Sequence, residues 1–424
     1  MDTKNESKVY YKKNTQLDMN ILYYSYNFFP MADAESYCAT RFASALARAG
    51  HNVTVVTMDW PKQVTDDTYH ALVSNKLKIV RLPFSQKKNT PLKGLLWYGI
   101  KDQNAVDISH SAKVVKELLC TTNNPLLITR THPVMCSMVG LKTYQYAYKW
   151  IAHFSDPIPW FGEFSDTLGH RLLKIRLMRI LRNAFIHADG ISVTCMHVCK
   201  YFKELYGDAF DETKAFMTTH IGDYRLDTPP QPSDSLDLEH VLLHPGSIFA
   251  RRGGITIAEV MKQLYKEHYD IKFVQVGKVE ECLKDILVES ENVMIYDTIS
   301  PEESVRFRKK AKAIFVPDFE SDLSYSPFIL SKFVYQIMSD KPIILYAKAD
   351  SEMHDYALQY PEAGIYWAEA ENVESLKDAI IKAINVDVSI IDRGRIRKAF
   401  SDESIVRNFE ESLRKIIAKD ESQR

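Results

Sequence analysis

The amino-acid sequence predicts an α/β protein built from two doubly wound domains that face each other across a cleft. Three observations predict it. Apolar strand-like runs alternate with amphipathic helical stretches along most of the chain, the order that lays strands parallel with helices on both faces. That alternation breaks once, at LDTPPQPSDSLDLEH (226–240), a stretch rich in Pro, Asp and Ser that has no periodicity and reads as an interdomain linker. The chain has 424 residues, 46% of them hydrophobic and 26% charged, which is enough for two ordinary globular cores.

Residues 1–18 are polar, lack the apolar segment of a secretory signal, and read as a tail. The first domain, 19–225, opens with NILYYSYNFF (20–29), apolar enough for a strand buried on both faces. After the loop PMADAE, a helix carries Cys38, Phe42, Ala45, Leu46 and Ala49 at helical spacing, and Gly50 ends it. Strands are predicted at NVTVVTM (52–58), LKIVRLPF (77–84), PLLITRTHP (125–133), WIAHFSD (150–156) and ADGISVT (188–194), with helical segments between most of them. The second domain, 241–395, repeats the pattern: the strand HVLLHPGSI, the helix ITIAEVMKQLYKEH, then the strands IKFVQVG, NVMIYDT, KAIFVPDF and PIILYAK. The helix VESLKDAIIKAI follows, and 396–424 holds a last amphipathic helix placed to pack back on the first domain.

A net charge of −1 supplies no global field for nucleic acid, which is not an expected partner, so any anion site must be local. Six scattered cysteines suit a reducing compartment rather than a disulfide framework. Cys195 and Cys199 read as two thiols on one helix face, without the second ligand pair that zinc needs, and no metal is expected. No apolar run reaches the length of a membrane span. A cytoplasmic location is therefore expected, with peripheral attachment to the inner face of a membrane as its variant. Two segments bear on that variant. HRLLKIRLMRILRNAFIH (170–187) has five Lys and Arg residues and no acid. Arg171, Lys174, Arg179 and Arg182 share one face of it; Leu173, Leu177, Ile180, Leu181 and Ala184 share the other. It suits either an anionic membrane surface or a domain helix whose basic side is in water. QKKNTPLKGLLWYG (86–99) offers a second basic and apolar lip.

In doubly wound sheets, ligands bind beyond the carboxyl ends of the strands. In the loop PGSIFARRGG, Gly246 and Ser247 allow a tight turn, and Arg251 and Arg252 stand just before a helix. The pair suits a phosphate or diphosphate, or else is a solvated pair on a loop. Gly277 ends the next strand and is placed to pass under a nucleotide base. Asp318, Glu320 and Asp322 have no metal-loop spacing and read as solvated acids. Ser326 as N-cap and Pro327 at the first helical position open a predicted helix, with Ser331, Lys332 and Tyr335 on one side and Phe333, Val334 and Ile337 on the other. In the first domain, His132, His153 and Asp156 lie at carboxyl ends of strands and are the catalytic candidates; a structural histidine or a turn-opening aspartate is the plainer reading of each. Trp160, Phe161 and Phe164 suit stacking on a sugar face, or packing.

These segments resemble a known family. NILYYSYNFFPMADAESY…RFASALARAGHNVTVVT, PGSIFARR and SKFVYQIMSDKPII are similar to the opening, the diphosphate-gripping loop and the Ser-Lys-x-x-Glu-Tyr-Met-Ala-x-Gly-Lys-Pro stretch of family-4 (group 1) glycosyltransferases of the GT-B fold. The resemblance spans the chain from residue 20. It implies two Rossmann-like domains and transfer of a sugar from a nucleotide-sugar donor to a glycan or lipid-linked acceptor. Retention, independence of metal, and a role in surface polysaccharide or glycolipid synthesis belong to the same implication, with the nucleotide-sugar as co-substrate in place of any cofactor. Together with the loop positions it marks Gly246, Ser247, Arg251, Arg252, Gly277, Ser326, Ser331, Lys332 and Tyr335 for the donor. The departures are Ala32 and Asp33 for a glycine pair, Tyr335 for a ribose-binding glutamate, Pro327 for its partner glutamate, and Asp340 for a glycine. They leave two further readings open: a non-catalytic GT-B scaffold that has lost its donor site, and a nucleotide-sugar epimerase of the same fold.

Overall fold

A computed structural model describes residues 18–31, 33–60, 72–83, 105–160, 167–222, 240–299 and 301–421. Most of the predicted tail and linker, and the predicted lip at 86–99, lie outside the described residues.

In the first domain the strands are β1 (Asn20–Ser25), β2 (Asn52–Asp59), β3 (Lys78–Pro83), β4 (Leu126–Thr131), β5 (Lys149–Phe154), β6 (Gly190–Val193) and β7 (Ala215–Met217). The helices among them are α1 (Ala34–Arg48), α2 (Ala105–Thr121), α3 (Cys136–Thr143), α4 (Leu168–His187) and α5 (His197–Tyr206). The second domain has β8 (Val241–Pro245), β9 (Lys272–Val276), β10 (Val293–Tyr296), β11 (Ala313–Pro317), β12 (Ile343–Ala347) and β13 (Ile365–Glu369). Its helices are α6 (Ile255–Lys266), α7 (Glu281–Val288), α8 (Pro301–Lys310), α9 (Ser331–Ile337), α10 (Glu352–Gln359), α11 (Val373–Asn385) and α12 (Gly394–Ala399), and α13 (Asp402–Glu421) ends the described chain.

The strands form two parallel sheets, ordered β3-β2-β1-β4-β5-β6-β7 and β10-β9-β8-β11-β12-β13. Strand order reverses between β1 and β4 and again between β8 and β11, which leaves a crevice at the carboxyl end of each sheet where chain leaves in opposite directions. β4 and β11 are buried along their whole length, as strands covered by helices on both faces must be.

Three differences from the sequence reading have local causes. β1 stops at Ser25 rather than Phe29, because Ser25 Oγ donates to Asn27 O (2.6 Å) and turns the chain. β7 and β13 were not expected. β7 is only three residues long and half-buried, and β13 follows a short 3₁₀ turn at Pro361–Ala363 that masks its start.

After α11 the chain returns to the first domain. α13 lies against α1: Arg48 pairs with Asp402, His51 Nε2 lies 3.1 Å from Glu410 Oε1, and Phe409 meets Phe42 edge-on at 5.3 Å. Just before that return, Arg393 and Arg397 close off the end of α9. Arg393 donates to Gln336 O (3.1 Å), and Arg397 donates to Ile337 O (3.1 Å) and to the Asp340 carboxylate (2.5 Å). Carbonyls left open at a helix C-terminus are met here by guanidinium groups.

A polar seam joins the domains on the other side. His197 of α5 sits between Glu352 (3.2 Å from Nδ1) and Asp350 (2.9 Å from Nε2), and Lys200 also pairs with Asp350. Tyr325 Oη donates to Glu204, and Cys195 Sγ donates to Pro327 O. All six cysteines are free thiols. Trp160 packs on Tyr201 and Phe328 within this seam rather than standing open; Phe161 and Phe164 lie outside the described residues.

Candidate functional site

The second-domain wall is built on two glycines. Gly246 follows β8 with φ +148°, and Gly277 follows β9 with φ +121°. The two turns lie back to back: a Cβ on Gly277 would come within 2.9 Å of the Gly246 backbone. Gly246 N–H donates to Val276 O (2.7 Å), and Gln275 donates to Gly246 O (2.6 Å). The other face of Gly246 is covered by Lys332, whose amine occupies the space a Cβ would fill. Three residues marked separately in the sequence thus meet at one point, with Ser247 next in the turn.

Lys332 reaches that point from the first turn of α9, and the helix begins four residues later than predicted. Leu330 is its N-cap and makes no side-chain cap bond. Ser326 is not a cap. Its N–H donates to Asp350 O (2.8 Å), it bridges Ser351, and its Oγ accepts from Phe328 N–H (3.4 Å). This pairing holds 326–330 extended, and the whole run Tyr325–Leu330 is buried at the domain junction. Pro327 accordingly opens no helix. Ser331 is half-buried at the start of α9.

The adjacent arginines part company. The turn at Ala250–Gly254 is irregular, with Gly253 at φ +66° and its N–H donating to Glu320 Oε1 (3.1 Å). Arg252 turns inward: it is 9% exposed, donates through Nε to Pro317 O (3.2 Å), and lies 4.4 Å above the Phe319 ring. Arg251 points into solvent, where it meets the equally exposed Asp322 at 3.3 Å. The acids that read as solvated divide in the same way. Only Asp322 is. Glu320 is tied to Gly253 and Tyr346, and Asp318 is 2% exposed with Oδ2 unpartnered. Burial pushes the Asp318 carboxyl up to about 6.

Lys332 has no hydrogen-bond or ion-pair partner among the described residues. Burial and the neighbouring Arg252 push its amine down to about 7. Tyr335, one turn on, does not join this pocket. Its hydroxyl accepts from Arg308 (2.8 Å), and its ring lies 4.2 Å from the Arg308 guanidinium and 5.8 Å from that of Arg41 in the first domain.

The first-domain wall centres on an ion pair. Arg130, at the end of β4, pairs with Glu35 at the start of α1 through two hydrogen bonds, and Ser155 Oγ donates to Glu35 Oε1 (3.1 Å). Burial would raise Glu35, but Arg130 outweighs it and holds the carboxylate below its usual range. Asp33 caps α1 by accepting from Ser36 N–H (2.6 Å) and is held by Asn27 (2.9 Å), so it serves the helix rather than standing free in the loop.

Asp156 lies beyond β5 with its side chain open to the cleft, and its carboxyl is raised by the desolvating surroundings and by Glu35, against the lowering effect of His132 and His220. It also acts electrostatically on Arg252 across the cleft. His132 is exposed at the same opening. His220 faces Ile329 O (3.3 Å) and is pushed by burial down to about 4. His153 does not reach the opening. It is 2% exposed, contacts Ser192 Oγ (2.9 Å), stacks on Phe42, and faces a small closed hollow lined by Arg130, Thr194, Thr218, Thr219 and His220. As the penultimate residue of β5 it points into the layer below.

Arg130, Glu35 and His220 were not singled out from the sequence, and Asp318 was read there as a solvated acid, which its burial corrects. Arg130 and Asp318 had a usable signal, a charged residue at or just beyond the carboxyl end of an apolar strand. His220 follows β7, too short to be recognised, and Glu35 is identifiable only through Arg130. Among the described residues, no group of three or more His, Cys, Asp or Glu side chains is arranged to hold a metal ion.

No family model matches the chain, and no curated protein does. Solved structures do. Sucrose-phosphate synthase from Thermosynechococcus elongatus matches 95% of this chain and 100% of its own, at 17% identity and TM-score 0.65. HepE from Anabaena, solved in complex with UDP and glucose, matches 93% and 99% at 13% identity and TM-score 0.63. A Listeria monocytogenes protein provisionally assigned as a UDP-N-acetylglucosamine 2-epimerase matches 95% and 98% at 11% identity and TM-score 0.54. The chain has the GT-B fold of the glycosyltransferases, two Rossmann-like domains with the cleft between them.

Proposed function

We propose that the protein is a glycosyltransferase that moves a sugar from a nucleotide-sugar donor to a glycan or lipid-linked acceptor. The observation that carries this reading is the meeting of Lys332 and Arg252 beside Gly246. These are two enclosed cations with no carboxylate at ion-pair distance among the described residues, at the carboxyl end of β8 where strand order reverses. An enclosed cation without a counter-charge is costly, and a diphosphate supplies the missing charge. HepE, of the same fold, was solved with UDP and glucose.

In this reading Lys332 and Arg252 stabilise the negative charge that builds on the leaving diphosphate. Their two charges support a reaction that needs no metal and no cofactor. Asp156, opposite Arg252, accepts a hydrogen bond from a hydroxyl of the transferred sugar or of the acceptor, and His132 lines the acceptor entrance. The Arg130–Glu35 pair fixes the floor beneath them. Retention, and a role in surface polysaccharide synthesis, rest on the sequence resemblance.

A cytoplasmic protein peripheral to an anionic membrane is the setting this reading favours. Among the described residues no helix is long and apolar enough to cross a membrane. α4 buries Ile180, Leu181, Ala184 and Phe185, while Leu168, Leu172 and Ile175 are 74%, 46% and 58% exposed beside Arg171, Lys174 and Arg176. Apolar side chains facing water among cations suit a lipid headgroup layer.

One observation favours the scaffold reading: Tyr335, at the place of the family's ribose glutamate, is engaged by Arg308 rather than free for a ligand. Calorimetry with UDP, ADP, GDP and dTDP separates the two. Binding of one of them that Arg252→Ala weakens about tenfold or more, and that Arg251→Ala leaves unchanged, supports the donor site. Binding of none leaves the scaffold.

A further inference from the structure

The most unusual group in the cleft is the Lys332 amine. It lies on the bare face of Gly246, where the loop can approach because no Cβ intervenes. A protonated amine carries three N–H donors, and no acceptor for them is present among the described residues. The groups that face it come from four elements. The turn at Ala250–Gly254 supplies Arg252, a second cation. β8 supplies His244, which burial and Lys332 itself push down to about 3. Those two effects outweigh the pull of the carbonyls beside the ring, Phe315 O 2.9 Å from Nδ1 and Ser247 O 3.4 Å from Nε2, and a neutral His244 donates to one of them. β11 supplies apolar Phe315, Val316 and Pro317, with Asp318 beyond them acting on Arg252. α9 itself supplies Gln336, uncharged, and Tyr335, which is turned to Arg308. Among the described residues no negative group stands against the amine, and burial with a like charge favours its neutral form.

We infer that this pocket gains its full charge only with its ligand: when a nucleoside diphosphate enters beside Gly246, a proton from solvent adds to the Lys332 amine. The lone pair on Nζ takes the proton, and the diphosphate oxygens accept the new N–H groups; no other bond changes. The inference rests on the donor-site reading and adds to it a coupling between pH and affinity. With the free amine at about 7 and the bound amine held protonated by the diphosphate, affinity falls about tenfold per pH unit above neutrality. Below that range the amine is already charged, and the coupling vanishes.

The test is calorimetry of UDP, ADP, GDP and dTDP at pH 8 and pH 9 in Tris and in HEPES, whose ionisation heats differ. At pH 8 the terminal phosphate of each ligand is ionised and the bases are not, so proton exchange there reports on the protein; at pH 9 the bases of UDP, GDP and dTDP begin to ionise, and free ligand titrated alone corrects for it. The expected result is uptake of close to one proton at pH 8 and a roughly tenfold weaker Kd at pH 9. Lys332→Arg, charged throughout, is expected to bind with no proton uptake and a flat profile. Lys332→Met, neutral throughout, is expected to bind weakly at both pH values and serves if the arginine does not fit over Gly246. Nucleotide binding to the wild type with equal heats in both buffers and a flat profile overturns the inference and leaves the donor site standing. Failure of all four nucleotides to bind removes the donor site and the inference together.

Discussion

Replacing Gly246 with alanine isolates what the glycine does for Lys332. Two costs follow from the structure. At φ +148° a Cβ is strained in a region that is nearly glycine-only, which costs about 1–3 kcal/mol of stability. The same Cβ occupies the position of the Lys332 amine, which is the far end of a flexible side chain and must swing away. Each charge-assisted hydrogen bond the amine would give to a diphosphate is worth about 1.5–3 kcal/mol. Nucleotide affinity is therefore expected to fall about 10- to 150-fold, although no atom that touches the ligand has been deleted. Denaturant unfolding measures the first cost and calorimetry the second. Because both act through one amine, Gly246→Ala combined with Lys332→Met is expected to bind no more weakly than Lys332→Met alone, which is strong non-additivity. A Gly246→Ala protein that is destabilised but binds nucleotide like the wild type would refute the assignment of Lys332 as the anchor.

Three other predictions concern the walls and the surface. Arg130→Met leaves Glu35 buried without its partner and is expected to destabilise by about 3–5 kcal/mol; adding Glu35→Gln should recover most of that loss. Because Glu35 is held below its usual range, the pair's contribution is present above the unfolded value of about 4.3 and lost as pH falls through the lower folded value; a mutant that keeps this acid limb of stability against pH contradicts the pairing. His197 is raised by Glu352 and Asp350, so its hold on the seam is full below about pH 6.5 and lost as pH rises through the folded value; amide protection at 196–206 and 350–356, taken relative to the intrinsic exchange rate at each pH, should fall between pH 6 and pH 8.5, and His197→Gln should abolish that fall. Leu172→Glu with Ile175→Glu should release the protein from anionic vesicles at low salt, where each cation contributes about 1 kcal/mol; a wild type that never sediments with vesicles makes α4 an ordinary solvated face.

The parts of the molecule that were legible in the sequence are those fixed by local pattern. Runs such as Ala313–Pro317 and Ile343–Ala347 are apolar throughout, which marks strands covered on both sides. Gly246 and Gly277 were found because a glycine directly after such a strand sits where the sheet opens. What failed was local signal overruled by distant chain. Ser326-Pro327 reads as a helix start, but its backbone pairs with Asp350 and Ser351, and that pairing holds it extended. Arg251 and Arg252 are equivalent in sequence; the left-handed Gly253 beside them helps send one into the cleft and the other into water. Arg130 and Glu35 are 95 positions apart, and nothing near either residue announces the other.

The return of the chain through α12 to α13 has a mechanical consequence. With the link between residues 222 and 240 the chain crosses between the domains twice, and Gly222 N–H donates to Phe400 O (2.9 Å), so the two crossings lie side by side; a rotation that opened the cleft would turn about a line near that place. Arg393 and Arg397 fasten the second crossing to the last carbonyls of α9, so α9 would sit close to that line. Lys332 lies five residues before Ile337 on the same helix, about 7.5 Å from that fastening at 1.5 Å per residue. Displacement in a rotation grows with distance from the axis. Opening of the cleft would therefore carry the outer lips of the domains far while the lysine and its glycine keep nearly the same place against the first domain.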